Sequence, residues 1–104
     1  CLMAVTLQVM YPVTKGSTFD DAYYANTHMA MVGEYMGAHI SDTVVTKGIA
    51  GGAGTPPAFH AVATILFADQ AAMDAAMAVS GPVLADIPNF TNASPQMLIG
   101  QTYS

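Results

Sequence analysis

Basic residues are nearly missing from this sequence: Lys15 and Lys47 stand alone among 104 residues, against seven acids, for a net charge of −5. So few cations offer nothing to a phosphate backbone, which argues against nucleic acid as a partner. The single cysteine, Cys1, excludes an intrachain disulfide framework and fits a reducing compartment, so a cytoplasmic location is expected. An opening cysteine reads as a trimmed start rather than a lipidated terminus, and no signal peptide is visible. The longest near-apolar run, residues 58–68, is interrupted by His60 and Thr64. It falls far short of the ~20 residues that a membrane span needs. Metal chemistry has no footing either. His28, His39 and His60 lack ligand spacing, and neither CxxC nor HExxH occurs. No serine sits in a GxSxG elbow, and Cys1 has no evident base.

Apolar residues are abundant instead. They make up 53% of the chain while charged residues make up 9%. At this length the chain is one domain, residues 1–104, and a monomer could hardly hide so much apolar surface. Self-association is therefore expected. Residues 2–11 alternate Met3, Val5, Leu7, Val9 and Tyr11 against Ala4, Thr6, Gln8 and Met10, which predicts a strand ending at Pro12. Residues 43–49 and 59–67 read as two further strands joined by a glycine- and proline-rich hairpin loop, residues 51–57. Asp69 is placed to cap a second helix over residues 70–79, which Ser80, Gly81 and Pro82 should stop or kink. Residues 83–86 read as a turn, and residues 97–103 as a last strand. The order β-α-β-β-α-β predicts an α+β ferredoxin-like split β-α-β fold, an antiparallel four-stranded sheet with two helices on one face. Because the strands are nearly free of charge on both faces, the uncovered face calls for a partner. The simplest is the same face of a second copy, stacked as a dimeric α+β barrel.

Residues 18–38, TFDDAYYANTHMAMVGEYMGA, predict the first helix, with Thr18 as N-cap and Asp21 completing a capping-box variant. Bulky residues recur at Phe19, Tyr23, Tyr24, His28, Met31, Val32 and Tyr35, the spacing of one buried helical face. His28 on that face places a titratable imidazole among apolar groups and phenols. Imidazole titrates closest to neutrality of all side chains, so His28 is the candidate general base. Tyr11, Tyr24 or Tyr35 could donate a hydrogen bond to an enolate oxygen, and Asp86 could orient the imidazole or shuttle the proton. The same residues also read more plainly. His28 would then be a core histidine bonded to a carbonyl or to Asp86, Asp86 and Asn89 would be turn residues, and the tyrosines would be packing. Met29, Met31 and Met36 are candidates to line an adaptable apolar pocket.

Four spaced motifs carry a family resemblance: VMYP (residues 9–12), FDDAYYANTHM (19–29), GIAGGAGTPP (48–57) and ADIPNFT (85–91). In this order, across essentially the whole chain, they resemble the EthD family of the dimeric α+β barrel superfamily. The resemblance implies a homodimer of that fold and a site at His28 and Asp86, with Tyr11, Tyr24, Met31, Tyr35, Asn89 and Phe90 toward the substrate. It implies a cofactor-independent enzyme of catabolism or secondary metabolism. Such an enzyme would transfer protons as an isomerase, cyclase or dehydratase on a small hydrophobic carbonyl or lactone compound. The alternatives are a non-catalytic binding or accessory protein for hydrophobic metabolites and a cofactor-free monooxygenase. EthD-like sequences often carry a third-strand histidine where Thr64 stands here, leaving His60, four residues earlier, as the nearest substitute. Haem-binding relatives of this superfold ligate iron from the second helix, and residues 70–79 contain no histidine.

Overall fold

Strict alternation on a pleated strand puts every second side chain on one face, and β1 (Val5–Pro12) buries Val5, Leu7, Val9 and Tyr11 in that way. The computed structural model describes residues 4–103; Cys1 and the expected strand start at Leu2 lie outside the described residues. β1 is central, antiparallel to β3 (Phe59–Phe67) and to β4 (Gln96–Gln101), and β2 (Asp42–Lys47) pairs antiparallel with β3. The resulting order, β2-β3-β1-β4, is that of the expected split β-α-β sheet. Residues 51–57 connect the antiparallel neighbours β2 and β3 and so form a hairpin loop.

The first helix is not uniform. Its turns α1 (Asp21–Tyr23) and α2 (Met29–Met36) flank a five-residue π-helical turn, Tyr24–His28. Thr18 is not its cap. Asp20 holds an extended backbone and its carboxylate accepts from the Tyr23 amide at 3.1 Å, while the Thr18 carbonyl accepts from the Thr91 hydroxyl. Aspartate two residues later is the better competitor because it can be both a side-chain acceptor and an anion at the helix N-terminus. Asp69 caps α3 (Gln70–Ala78) as expected, accepting from the Ala72 amide at 2.8 Å. Pro82 does not end the helical run, and residues 83–86 are not a turn. Gly81 and Pro82 open a further helix, α4 (Gly81–Asp86), because a first-turn proline sacrifices no intrahelical hydrogen bond.

Val5, Leu7, Val9 and Tyr11 of β1 and Ala61, Ala63, Ile65 and Phe67 of β3 form the sheet side of the core. Tyr24, Val32, Met36, Met73, Ala76, Val83, Ile87 and Phe90 pack onto them. The register places Val44, Thr64, Gln8 and Leu98 in one row across the opposite face, where the Gln8 amide donates to the Thr64 hydroxyl at 3.2 Å. Val44 and Leu98 in that row are each 54% exposed.

Candidate functional site

The segment after α4 is laced to the approach to the first helix. The Asp20 amide donates to the Phe90 carbonyl at 2.7 Å, the Thr18 amide to Asn92 at 2.8 Å, and the Thr91 hydroxyl to the Thr18 carbonyl at 2.6 Å. This lacing carries Asp86, the last residue of α4, against the π-turn and its His28. His28 Nδ1 lies 3.0 Å from Asp86 Oδ2, and the two residues are 3% and 7% exposed. The Tyr23 hydroxyl donates to Asp86 Oδ1 at 2.6 Å, and the Asn89 amide donates to the same oxygen at 2.9 Å.

These donors decide the protonation pattern. The Tyr23 hydrogen bond first, then those from Asn89 and His28, outweigh burial and hold the Asp86 carboxyl below its ordinary value. The same hydrogen bond holds the Tyr23 hydroxyl above its ordinary value. An ionised carboxylate only accepts, so Nδ1 of His28 carries the proton toward Asp86 and Nε2 of the neutral ring is left with its lone pair. Among the described residues Nε2 has no hydrogen-bond partner. The ring itself is clamped: Tyr24 stacks on it at 5.6 Å and 16°, and Phe90 tilts against it at 4.6 Å.

His28 forms part of the wall of an apolar cavity of about 40 Å³ between the first helix, the sheet and α4. That is room for about two or three waters, so a larger guest requires the walls to yield. Four methionines, Met29, Met36, Met77 and Met97, supply walls of the most adaptable kind. Polar atoms reach this space from Tyr11, Tyr24, His28 and Ser80. The Ser80 hydroxyl is committed to the Met77 carbonyl at 2.7 Å. The Tyr24 hydroxyl is fully buried with no partner, and burial pushes its pKa up to about 12. Burial, with Tyr24 alongside, pushes that of Tyr11 higher still. Among the described residues no cluster of three or more candidate ligands could hold a metal ion, and no helix is long and apolar enough to cross a membrane.

The expected site residues therefore separate. His28, Asp86, Tyr11 and Tyr24 come together, whereas Tyr35 is 42% exposed and Met31 does not reach the cavity. The cause is the π-turn. Its extra residue rotates everything downstream, so Tyr24, His28, Val32 and Met36 form the buried stripe that a regular helix would have built through Tyr35. Asn89 faces Asp86 rather than a ligand, and Phe90 packs behind His28 in a four-ring cluster with Tyr11, Phe19 and Tyr24. His60 does not share the face of Thr64. A β-bulge opposite Tyr11 turns it to stack on Phe19 at 5.4 Å and 10°, with Nε2 2.9 Å from the Ser17 hydroxyl. Tyr23 was missed by sequence reasoning as a site residue. Its only signal was membership of the buried helical face beside Tyr24.

Fold and site together define a split β-α-β protein whose first helix presents a buried histidine–aspartate pair to an apolar cavity. Residues 17–94 match the EthD domain family. An EthD-like protein from Ralstonia eutropha JMP134 has a similar structure at 37% identity and a TM-score of 0.88, over 100% of this chain and 96% of that one. The chain belongs to the EthD family. An ethyl tert-butyl ether D (EthD) family protein from Bacillus halodurans C-125 shares the fold at 21% identity, TM-score 0.74, over 95% and 98% of the two chains. A protein of unknown function from Nitrosomonas europaea does so at 16% identity and 0.64, over 99% and 92%. No curated protein matches the chain.

Proposed function

We propose that this protein is a homodimeric, cofactor-independent enzyme that moves a proton on a small hydrophobic carbonyl or lactone compound, in the manner of an isomerase, cyclase or dehydratase. The observation that carries this reading is the His28–Asp86 pair, 3.0 Å apart and buried, beside a cavity of otherwise apolar walls. Nε2 takes the proton from the carbon next to the carbonyl, and the C–H electron pair moves onto the carbonyl oxygen as an enolate. Asp86, held ionised by Tyr23 and Asn89, stabilises the imidazolium and fixes its orientation. Tyr11 and Tyr24 are the donors available to the enolate oxygen. Return of the proton to another carbon is isomerisation; its delivery to a departing hydroxyl is dehydration. Tyr35, Met31, Asn89 and Phe90 have no direct part in this chemistry.

Deuterium uptake from heavy water into 2-tetralone and into an unsaturated γ-lactone, followed by NMR, tests the reading. A general base of this kind contributes about a hundredfold or more, and His28→Ala should lose that much. Equal exchange by the wild type and the variant would remove His28 from the chemistry. The unpartnered Tyr24 hydroxyl also suits a binding protein without turnover. In that case ligands would saturate the site without product, and His28→Gln would bind about as well as the wild type.

A further inference from the structure

The polar atoms of the cavity form a set with a definite complement. Two are phenolic hydroxyls, on Tyr11 and Tyr24, whose rings meet edge to face with centroids 5.6 Å apart. Both residues are buried, at 2% and 4% exposure, and neither hydroxyl has a hydrogen-bond partner among the described residues. The third is Nε2 of His28, an acceptor once Nδ1 has been given to Asp86. Buried polar groups are otherwise satisfied almost without exception, so a hydroxyl held dry and unpaired is a feature to be explained by what it meets. A plain carbonyl oxygen would use the two donors and leave Nε2 idle. A compound with an acidic O–H uses all three: the proton goes to the acceptor and the oxygen receives both donors.

We propose, on the reading that this cavity is the ligand site, that it binds planar phenolic or enolic hydroxyl compounds as their anions, the oxygen cradled between the hydroxyls of Tyr11 and Tyr24. The O–H bond breaks and an N–H bond forms at Nε2, so phenolate and imidazolium arise together and net charge is unchanged. Asp86 remains ionised on the far side of the ring. The aryl or enol plane lies among Met29, Met36, Met77 and Met97, which make way for it. The walls carry no cation to attract an anion ready-made, which is why the proton has to be handed over inside the cavity.

The test is the absorption spectrum of 4-nitrophenol, titrated with the wild-type protein about one pH unit below the probe's own pKa. Binding should bring up the phenolate band under conditions where the free probe is mainly neutral. Tyr11→Phe and Tyr24→Phe should each weaken binding by about tenfold or more, the loss expected for one hydrogen bond to a charged oxygen. 4-Nitroanisole, which has no proton to give, should bind both variants within about twofold of the wild type on the same grounds. A neutral-phenol spectrum on binding, no binding at millimolar probe, or a loss confined to one variant would overturn the two-donor cradle. The measurement is at equilibrium with a probe that does not turn over. A protein that forms the phenolate but does not exchange protons with carbon would sink the proposed enzymatic role and leave the cradle standing.

Discussion

A buried hydroxyl without a partner loses its hydrogen bond to water and gains none, which costs about 1–3 kcal/mol. Tyr24 carries such a hydroxyl, so Tyr24→Phe should stabilise the unliganded protein by about 1 kcal/mol. Its melting temperature should rise by roughly 4–8 °C even as ligand binding falls. An unchanged or lower melting temperature would mean the hydroxyl is paired after all. The carboxyl of Asp86 makes the opposite kind of contribution. Its pKa is lower folded than unfolded, chiefly through the Tyr23 hydrogen bond, so folding favours its ionised form. The stability this lends is complete above the unfolded value and drains away as pH falls through the lower folded one. Urea unfolding followed from neutral pH into acid should show this limb in the wild type and a flatter one in Asp86→Asn. The pKa of Tyr24 is shifted the other way, so its contribution holds below pH 10 and is lost as pH climbs from there toward about 12. His28 and Asp86 were legible as partners from their motifs. Tyr23 and Asn89 were not legible as donors to Asp86, because the stitching between residues 16–20 and 89–92 that aims them is formed by contacts more than 70 positions apart.

The π-turn is the element on which the site depends. It lets Tyr24 stack on His28 and hands the following buried positions to Val32 and Met36, a shift that apolar periodicity cannot reveal because Tyr35 and Met36 both suit a core. Asp20 sets where the helix begins. Asp20→Ala should cost about 1 kcal/mol by chemical denaturation. The same change at Asp21 should cost less, since its ion pair with Lys47 is exposed on both sides. At the end of β2, Gly48 has no room for a side chain: a Cβ there would sit 2.0 Å from the Phe59 carbonyl oxygen. Gly48→Ala should therefore destabilise by about 2 kcal/mol or distort the hairpin, and a variant with the wild-type denaturation midpoint would contradict that crowding. Both strands of the hairpin were legible from β-branched runs, whereas the bulge that turns His60 toward Phe19 left no trace in the residue pattern.

The molecule measures 38 × 32 × 19 Å, two layers thick, with helices on one side of the sheet and none on the other. Across the bare side run Val44, Thr64, Gln8 and Leu98, with Met10, Val62 and Leu66 on the same face and Asp42 at its corner. A face so poor in charge is costly to leave in water. The proposed two-fold dimer stacks one such face on another as a closed barrel. Light scattering should return twice the chain mass for the wild type and a lower mass for Val44→Asp combined with Leu98→Asp, whose carboxylates would be buried opposite their own copies. A wild-type protein that stays monomeric at micromolar concentration would end this proposal and would leave the apolar face unaccounted for.

Local rules were sufficient for much of this protein. Alternation specified β1 and β3, side-chain capping specified the start of α3, and the order of elements specified the four-stranded sheet, because each depends on neighbours a few residues away or on a repeating pattern. Three further features came from packing across the fold: the helical register beyond His28, the donors that keep Asp86 ionised, and the pair of phenols left dry beside Nε2. Each is settled by which distant segment lies against which, and by what burial then removes from water, and neither quantity is written in the spacing of residues along a chain.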